Sequence, residues 1–152
     1  MKKKYLLVVL PVLVLALGLT TGYIRNLSGK PVMTVYKTPT CGCCSKWIEH
    51  VEKSGFEVVV KDVQRLDLTK AEYQVPGNLR SCHTAIVDGY VVEGHVPAED
   101  VKRLLATRPN VAGIAVAGMP IGSPGMEGGT PQPFDVIVFH KSGEQEVFSS
   151  HL

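Results

Sequence analysis

Three cysteines crowd into four positions, Cys41, Cys43 and Cys44, while a fourth, Cys82, stands alone later in the chain. Cys41 and Cys44 have the C-x-x-C spacing. Deprotonated, such a pair attacks disulfides or binds soft metals. Cys43 separates this arrangement from a plain dithiol. A bond between adjacent Cys43 and Cys44 is strained, so of the three pairings that four cysteines allow, two are reasonable: those that join Cys82 to Cys43 or to Cys44. Two structural disulfides and one reactive site are both open on spacing alone.

A strand and a helix must present these sulfurs. Met33 to Tyr36 and Phe56 to Val60 are short β-branched and aromatic runs, and between them Cys44, Trp47, Ile48 and Val51 recur at helical spacing until Gly55. The cysteines therefore open a helix that follows a strand. Unpaired N–H groups and the positive dipole end of a first helical turn stabilise a thiolate. Thr38, Pro39 and Thr40 supply cap-capable residues ahead of the helix, and Lys37 and Lys46 add favourable charge.

Asp67 to Tyr73 reads as a second helix. Ala85 to Val87 and Tyr90 to Val92 flank Asp88-Gly89, a hairpin signal. A third helix is expected over Pro97 to Thr107, with Val101, Leu104 and Leu105 facing inward. The order is that of an α/β protein with a small mixed sheet and helices on its faces. Residues 118–133 break the pattern: nine of the sixteen are Gly or Pro, and Met119 and Met126 lie among them. A loop of this length in a compact domain is uncommon unless it binds something or is disordered. Phe134 to Phe139, a turn at Ser142-Gly143 and Val147-Phe148 then form a C-terminal hairpin extension.

This order of elements resembles the thioredoxin and glutaredoxin fold. By that resemblance Cys82-His83 stands where the fold carries its Val-Pro or Thr-Pro step beside the active cysteines, with His83 in place of the proline. All four sulfurs then converge, with imidazole and thioether nearby. Such a soft set selects Cu(I), Zn or iron–sulfur clusters. Thioethers favour Cu(I) over Zn(II), and the loop holding Met119 and Met126 is long enough to fold over the helix N-terminus. Because thiolate sulfur bridges, several Cu(I) ions sharing the cysteines is a reasonable extension.

Three motifs together are more specific than the C-x-x-C pair. Thr38-Pro39-Thr40-Cys41-Gly42-Cys43-Cys44 with Trp47, then Cys82-His83-Thr84-Ala85, then Gly118-Met119-Pro120-Ile121-Gly122-Ser123-Pro124-Gly125-Met126-Glu127 resemble the CopG-like copper-resistance proteins of bacterial periplasms, formerly known as a domain of unknown function. The resemblance runs from about Pro31 to Ser149. It implies a thioredoxin-like copper protein whose four cysteines are metal-binding and redox-active, found with copper-efflux and copper-resistance systems. The expected metal ligands are Cys41, Cys43, Cys44, Cys82, Met119, Met126 and His83. Cys41 and Cys44 are the catalytic pair if the protein is a copper or thiol–disulfide oxidoreductase. His95, after the hairpin near the same edge, is a weaker candidate, and His50, His140 and His151 are expected to be solvated. The competing readings are a thiol–disulfide oxidoreductase and a structural zinc or iron–sulfur module. Copper ions are the expected partners, with copper-efflux or copper-chaperone proteins behind them.

Lys2, Lys3 and Lys4 precede an uncharged stretch from Tyr5 to Ile24, twenty residues long. Residues 1–24 therefore read as a secretory signal peptide or a retained N-terminal membrane anchor, 25–31 as a linker and 32–152 as the working domain. Export to the periplasm places the cysteines where disulfides persist. Without the three leader lysines, thirteen basic residues face fourteen acidic ones, a net charge of −1. No cluster of Lys and Arg with aromatics remains, so nucleic acid is not an expected partner. With 152 residues, 45 % hydrophobic and 20 % charged, the chain is neither a charged disordered tail nor a polytopic membrane protein.

Overall fold

Strand β1 (Val32–Lys37) buries every second side chain, Met33, Val35 and Lys37, as a strand covered on one face must. The computed structural model describes residues 29–152; the expected leader and residues 25–28 of the linker lie outside the described residues. Helix α1 (Gly42–Lys53) follows, then β2 (Glu57–Asp62), α2 (Leu66–Glu72) and a 3-10 turn (Gly77–Leu79). After these come β3 (His83–Val87), β4 (Tyr90–Glu93), α3 (Ala98–Thr107), β5 (Gly113–Ala115), β6 (Phe134–Phe139) and β7 (Gln145–His151). Among the described residues, seven strands form one mixed sheet in the order β2-β1-β3-β4-β5-β6-β7. The architecture is α/β and thioredoxin-like, extended at its C-terminal end by the expected hairpin. Among the described residues no helix is long and apolar enough to cross a membrane.

The register explains the core. Val35 pairs with Ala85, Ala85 with Val92, Val92 with Ile114, and Ile114 with Val138, so one cross-strand row carries apolar side chains over five strands. Helices α1 and α3 cover this face with Trp47, Ile48, Val51, Val101 and Leu104. Each such side chain contributes about 1.5–3 kcal/mol when fully buried. The opposite face carries a smaller cluster of Val75, Leu79, Val91, Ala115 and Phe139. Asp88 and Gly89 have φ of 49° and 85°, the positive pair that a two-residue hairpin turn requires.

The expected elements are present within one to three residues at each end, and residues 118–133 contain neither helix nor strand. Strand β5 was not expected: at three residues it is too short to show an alternating pattern.

The topology sends several segments to one edge. Strand β1 ends there at Lys37 and antiparallel β3 begins beside it, with Lys37 opposite His83. Strands β4 and β5 end there too, because Glu93 lies opposite Thr84 and Ala115. The loops leaving β1, β4 and β5 and the loop entering β3 therefore converge. Trp47 of α1 holds the loop leaving β4, its Nε1 donating to the carbonyl of Val96 at 2.8 Å.

Candidate metal centre

Cys41 is the N-cap of α1, and Cys43 and Cys44 occupy its first turn. No side chain caps the helix, so the expected capping by Thr38 or Thr40 does not occur; the Cys41 N–H instead donates to the Thr38 carbonyl at 3.2 Å. The first-turn N–H groups have no partner within the helix. Lys37 is not a free charge beside them either. It is buried and paired with Asp62 at 3.1 Å.

Cys41 and Cys44 form a disulfide, with Cα atoms 5.4 Å apart, while Cys43 and Cys82 are free thiols. Cys43 Sγ lies 3.6 Å from Cys41 Sγ and 4.0 Å from Cys82 Sγ, and Cys44 Sγ lies 3.6 Å from the carbonyl oxygen of Cys82. The four sulfurs are mutually within 4.8 Å. Of the two open pairings, the structure adopts Cys41–Cys44 and leaves Cys43 opposite Cys82. Burial, then the neighbouring Cys43, pushes the Cys82 thiol up to about 12. Cys82 is thus protonated at neutral pH unless a metal or a base takes its proton.

Two imidazoles adjoin the fourth sulfur. His95 Nε2 is 2.9 Å and His83 Nδ1 3.4 Å from Cys82 Sγ, and the three donor atoms form a second group sharing Cys82 with the first. His95 Nδ1 donates to the Pro124 carbonyl at 2.7 Å. That bond leaves the Nε2 lone pair facing the thiol. His83 is fully buried, its ring 4.3 Å from that of Trp47, and its Nε2 has no hydrogen-bond partner. Burial, with His95 and Lys70 adding smaller effects, holds His83 well below its usual value; burial also lowers His95. Both rings are therefore neutral and able to ligate.

The Gly/Pro loop folds over this group. Gly125 has φ of +86°, and a side-chain carbon there would stand 2.8 Å from both the Cys43 carbonyl oxygen and the Trp47 nitrogen. Only glycine permits that approach. The Gly125 N–H donates to the Glu127 carboxylate at 2.7 Å, and the Ser81 hydroxyl donates to the Gly118 carbonyl. These contacts bring the chain at Met119 and Met126 to the cysteine edge. Met126 is partly buried, whereas Met119 is 50 % exposed.

Of the expected ligands, then, Cys41, Cys43, Cys44, Cys82 and His83 come together, with the two methionines on the loop beside them. Two expectations about other histidines are overturned. His50 is half-buried and its Nε2 accepts the Ala98 N–H at 3.1 Å, at the start of α3. His151 stacks on Phe134 and bonds Asp100 at 2.7 Å, securing β7. Spacing could not reveal the second, which joins residues fifty-one apart.

A buried polar network beneath Cys82 also escaped the sequence reading. Lys70 Nζ meets Glu93 Oε1 at 2.5 Å and Thr84 Oγ1 at 3.0 Å, Thr84 Oγ1 donates to Glu93 Oε2 at 2.7 Å, and the Ser81 N–H donates to Glu93 Oε1 at 2.6 Å.

The family described as "Protein of unknown function, DUF411" matches residues 79–126, which span Cys82, His83, His95 and the loop as far as Met126. No curated protein matches the chain. Two solved structures are similar along nearly their whole length. "Copper resistance protein copG- Form 2" is 39 % identical, with a TM-score of 0.78 over 81 % of this chain and 99 % of that one. "Copper resistance protein copG- Form 1" is 39 % identical, with a TM-score of 0.76 over 80 % and 98 %. The chain belongs to the CopG-like family of copper-resistance proteins.

Proposed function

We propose that this chain is a periplasmic copper-binding protein of copper resistance and homeostasis, exported by residues 1–24, which carries Cu(I) on its cysteine group. The observation that carries the reading is the mutual approach of four sulfurs within 4.8 Å, with two neutral imidazoles joined to them through Cys82. Thiolates are soft and bridge, so the group suits several Cu(I) ions sharing sulfur. His83 presents its Nδ1 to the group, 3.4 Å from Cys82 Sγ. Met119 and Met126 supply thioethers from the loop. Copper-efflux or copper-chaperone proteins would deliver or receive the cargo.

The disulfide makes the capacity redox-dependent. Two electrons and two protons convert Cys41–Cys44 into two thiols, restoring the four-sulfur set. If two bound Cu(I) ions supply those electrons, two Cu(II) ions result, and imidazole suits Cu(II) better than thioether does. His83 and His95 would then hold the oxidised metal. Metal analysis with parallel thiol counting on protein recovered from its own compartment tests the proposal. Copper with four titratable thiols after reduction is expected; zinc or iron in place of copper would refute it.

A second reading rests on the Cys41–Cys44 disulfide at a helix N-terminus, the placement of a thiol–disulfide oxidoreductase. Turnover of a model disulfide that survives complete metal removal would favour it, and inertness would exclude it.

A further inference from the structure

Lys70 and Glu93 are the two charged side chains most deeply buried near the cysteine group, with side-chain exposures of 6 % and 0 %. A buried ion pair is poor at stabilising a fold, because desolvation offsets most of the attraction and well-packed apolar replacements are often as stable. This pair calls for a role besides stability. Its hydrogen bonds show one. Glu93 stands opposite Thr84 in the sheet and takes the Thr84 hydroxyl on Oε2 at 2.7 Å. Its Oε1 takes Lys70 at 2.5 Å and the Ser81 N–H at 2.6 Å. Ser81 is not in a strand, so no ladder partner fixes its N–H. The carboxylate does so instead, and the Ser81 hydroxyl is fixed to the Gly118 carbonyl on the other side. The next residue is Cys82.

We propose that Lys70 and Glu93 are positioning residues for Cys82: Lys70 and Thr84 hold the Glu93 carboxylate in place, and Glu93 holds the Ser81 N–H so that the Cys82 sulfur faces Cys43 and His95. Neither residue touches the cargo. Lys70 reaches Glu93 from α2 and Ser81 lies in the loop entering β3, so the pair couples the far face of the sheet to the fourth sulfur. The consequence for copper rests on the reading above; the placement of Cys82 does not.

Two double variants of the full chain separate positioning from bulk stability. Lys70→Met with Glu93→Gln removes both charges but leaves an amide oxygen for the Ser81 N–H. Lys70→Met with Glu93→Leu removes the charges and the acceptor. In reduced, metal-free protein the ratio of Cys82 to Cys43 alkylation rates is measured, together with the melting temperature. The glutamine variant should stay within about threefold of the native ratio, whereas the leucine variant should raise it about tenfold or more, as expected when a hydrogen bond to a charged acceptor, worth about 1.5 kcal/mol or more, no longer holds the thiol inside. Folded leucine variant with the native ratio, or equal change in both variants, overturns the proposal. If the leucine variant does not fold, Glu93→Asp, which keeps the charge and withdraws the acceptor by one methylene, must raise the ratio; an unchanged ratio there overturns it equally. Cu(I) retention is read on the same proteins. Native protein that holds no copper yet shows the predicted alkylation pattern sinks the copper reading alone.

Discussion

Cys43 and Cys82 face one another as free thiols, their Sγ atoms 4.0 Å apart, beside a disulfide that already joins Cys41 to Cys44. The oxidised, metal-free chain should therefore show two alkylatable thiols, rising to four after reduction. Cys82, pushed up to about 12 by burial and by Cys43, should react more slowly than Cys43 at neutral pH. A difference of at least about tenfold is expected, since the thiolate is the reacting form. Mass mapping of the labelled peptides checks both points, and a Cys82 that labels as fast as Cys43 would contradict the geometry.

Gly125→Ala tests the fold-over of the loop. The added carbon would meet the Cys43 carbonyl and the Trp47 nitrogen at 2.8 Å, at a backbone φ of +86°. The variant should lose about 1–3 kcal/mol in a thermal melt. It should also shed copper more readily, because Pro124 would no longer hold His95. An unchanged melting temperature would mean that the loop does not rest on α1.

His50 sets a pH dependence. Burial lowers its pKa from the usual 6.5, and its Nε2 must be unprotonated to accept the Ala98 N–H. The unfolded chain then binds a proton at higher pH than the folded one does. Stability from this residue is present above about pH 6.5 and falls away as pH drops below it towards the lowered folded value. Melts of His50→Gln between pH 7.5 and 5.5 should slope less steeply than those of the native chain. Parallel slopes would remove His50 from the account.

The elements around the cysteines were legible because their patterns are local. Cys44, Trp47, Ile48 and Val51 repeat at helical spacing and are the buried side of α1. The Asp88-Gly89 turn fixed the hairpin register and, with it, the place of Cys82. What stayed hidden depends on contacts distant in sequence. Lys70 and Glu93 look like ordinary surface charges until α2 folds onto the sheet, although Glu93 shares a strand face with buried Val91, which is a faint signal. His95 was a candidate from its place after the hairpin, but the partner that orients its ring, the Pro124 carbonyl twenty-nine residues later, was not legible. His50 and His151 were misread for the same reason: their partners, Ala98 and Asp100, lie on α3, distant in sequence from both.

Anaerobic titration of the fully reduced chain with Cu(I), against a competing chelator, tests whether the four sulfurs form one copper site. More than one Cu(I) should be retained per chain, with an ultraviolet thiolate-to-metal absorption that grows with it, and both should be lost in the Cys41→Ser, Cys82→Ser variant. Retention of less than one copper per chain, or retention unchanged by that double substitution, would contradict such a site.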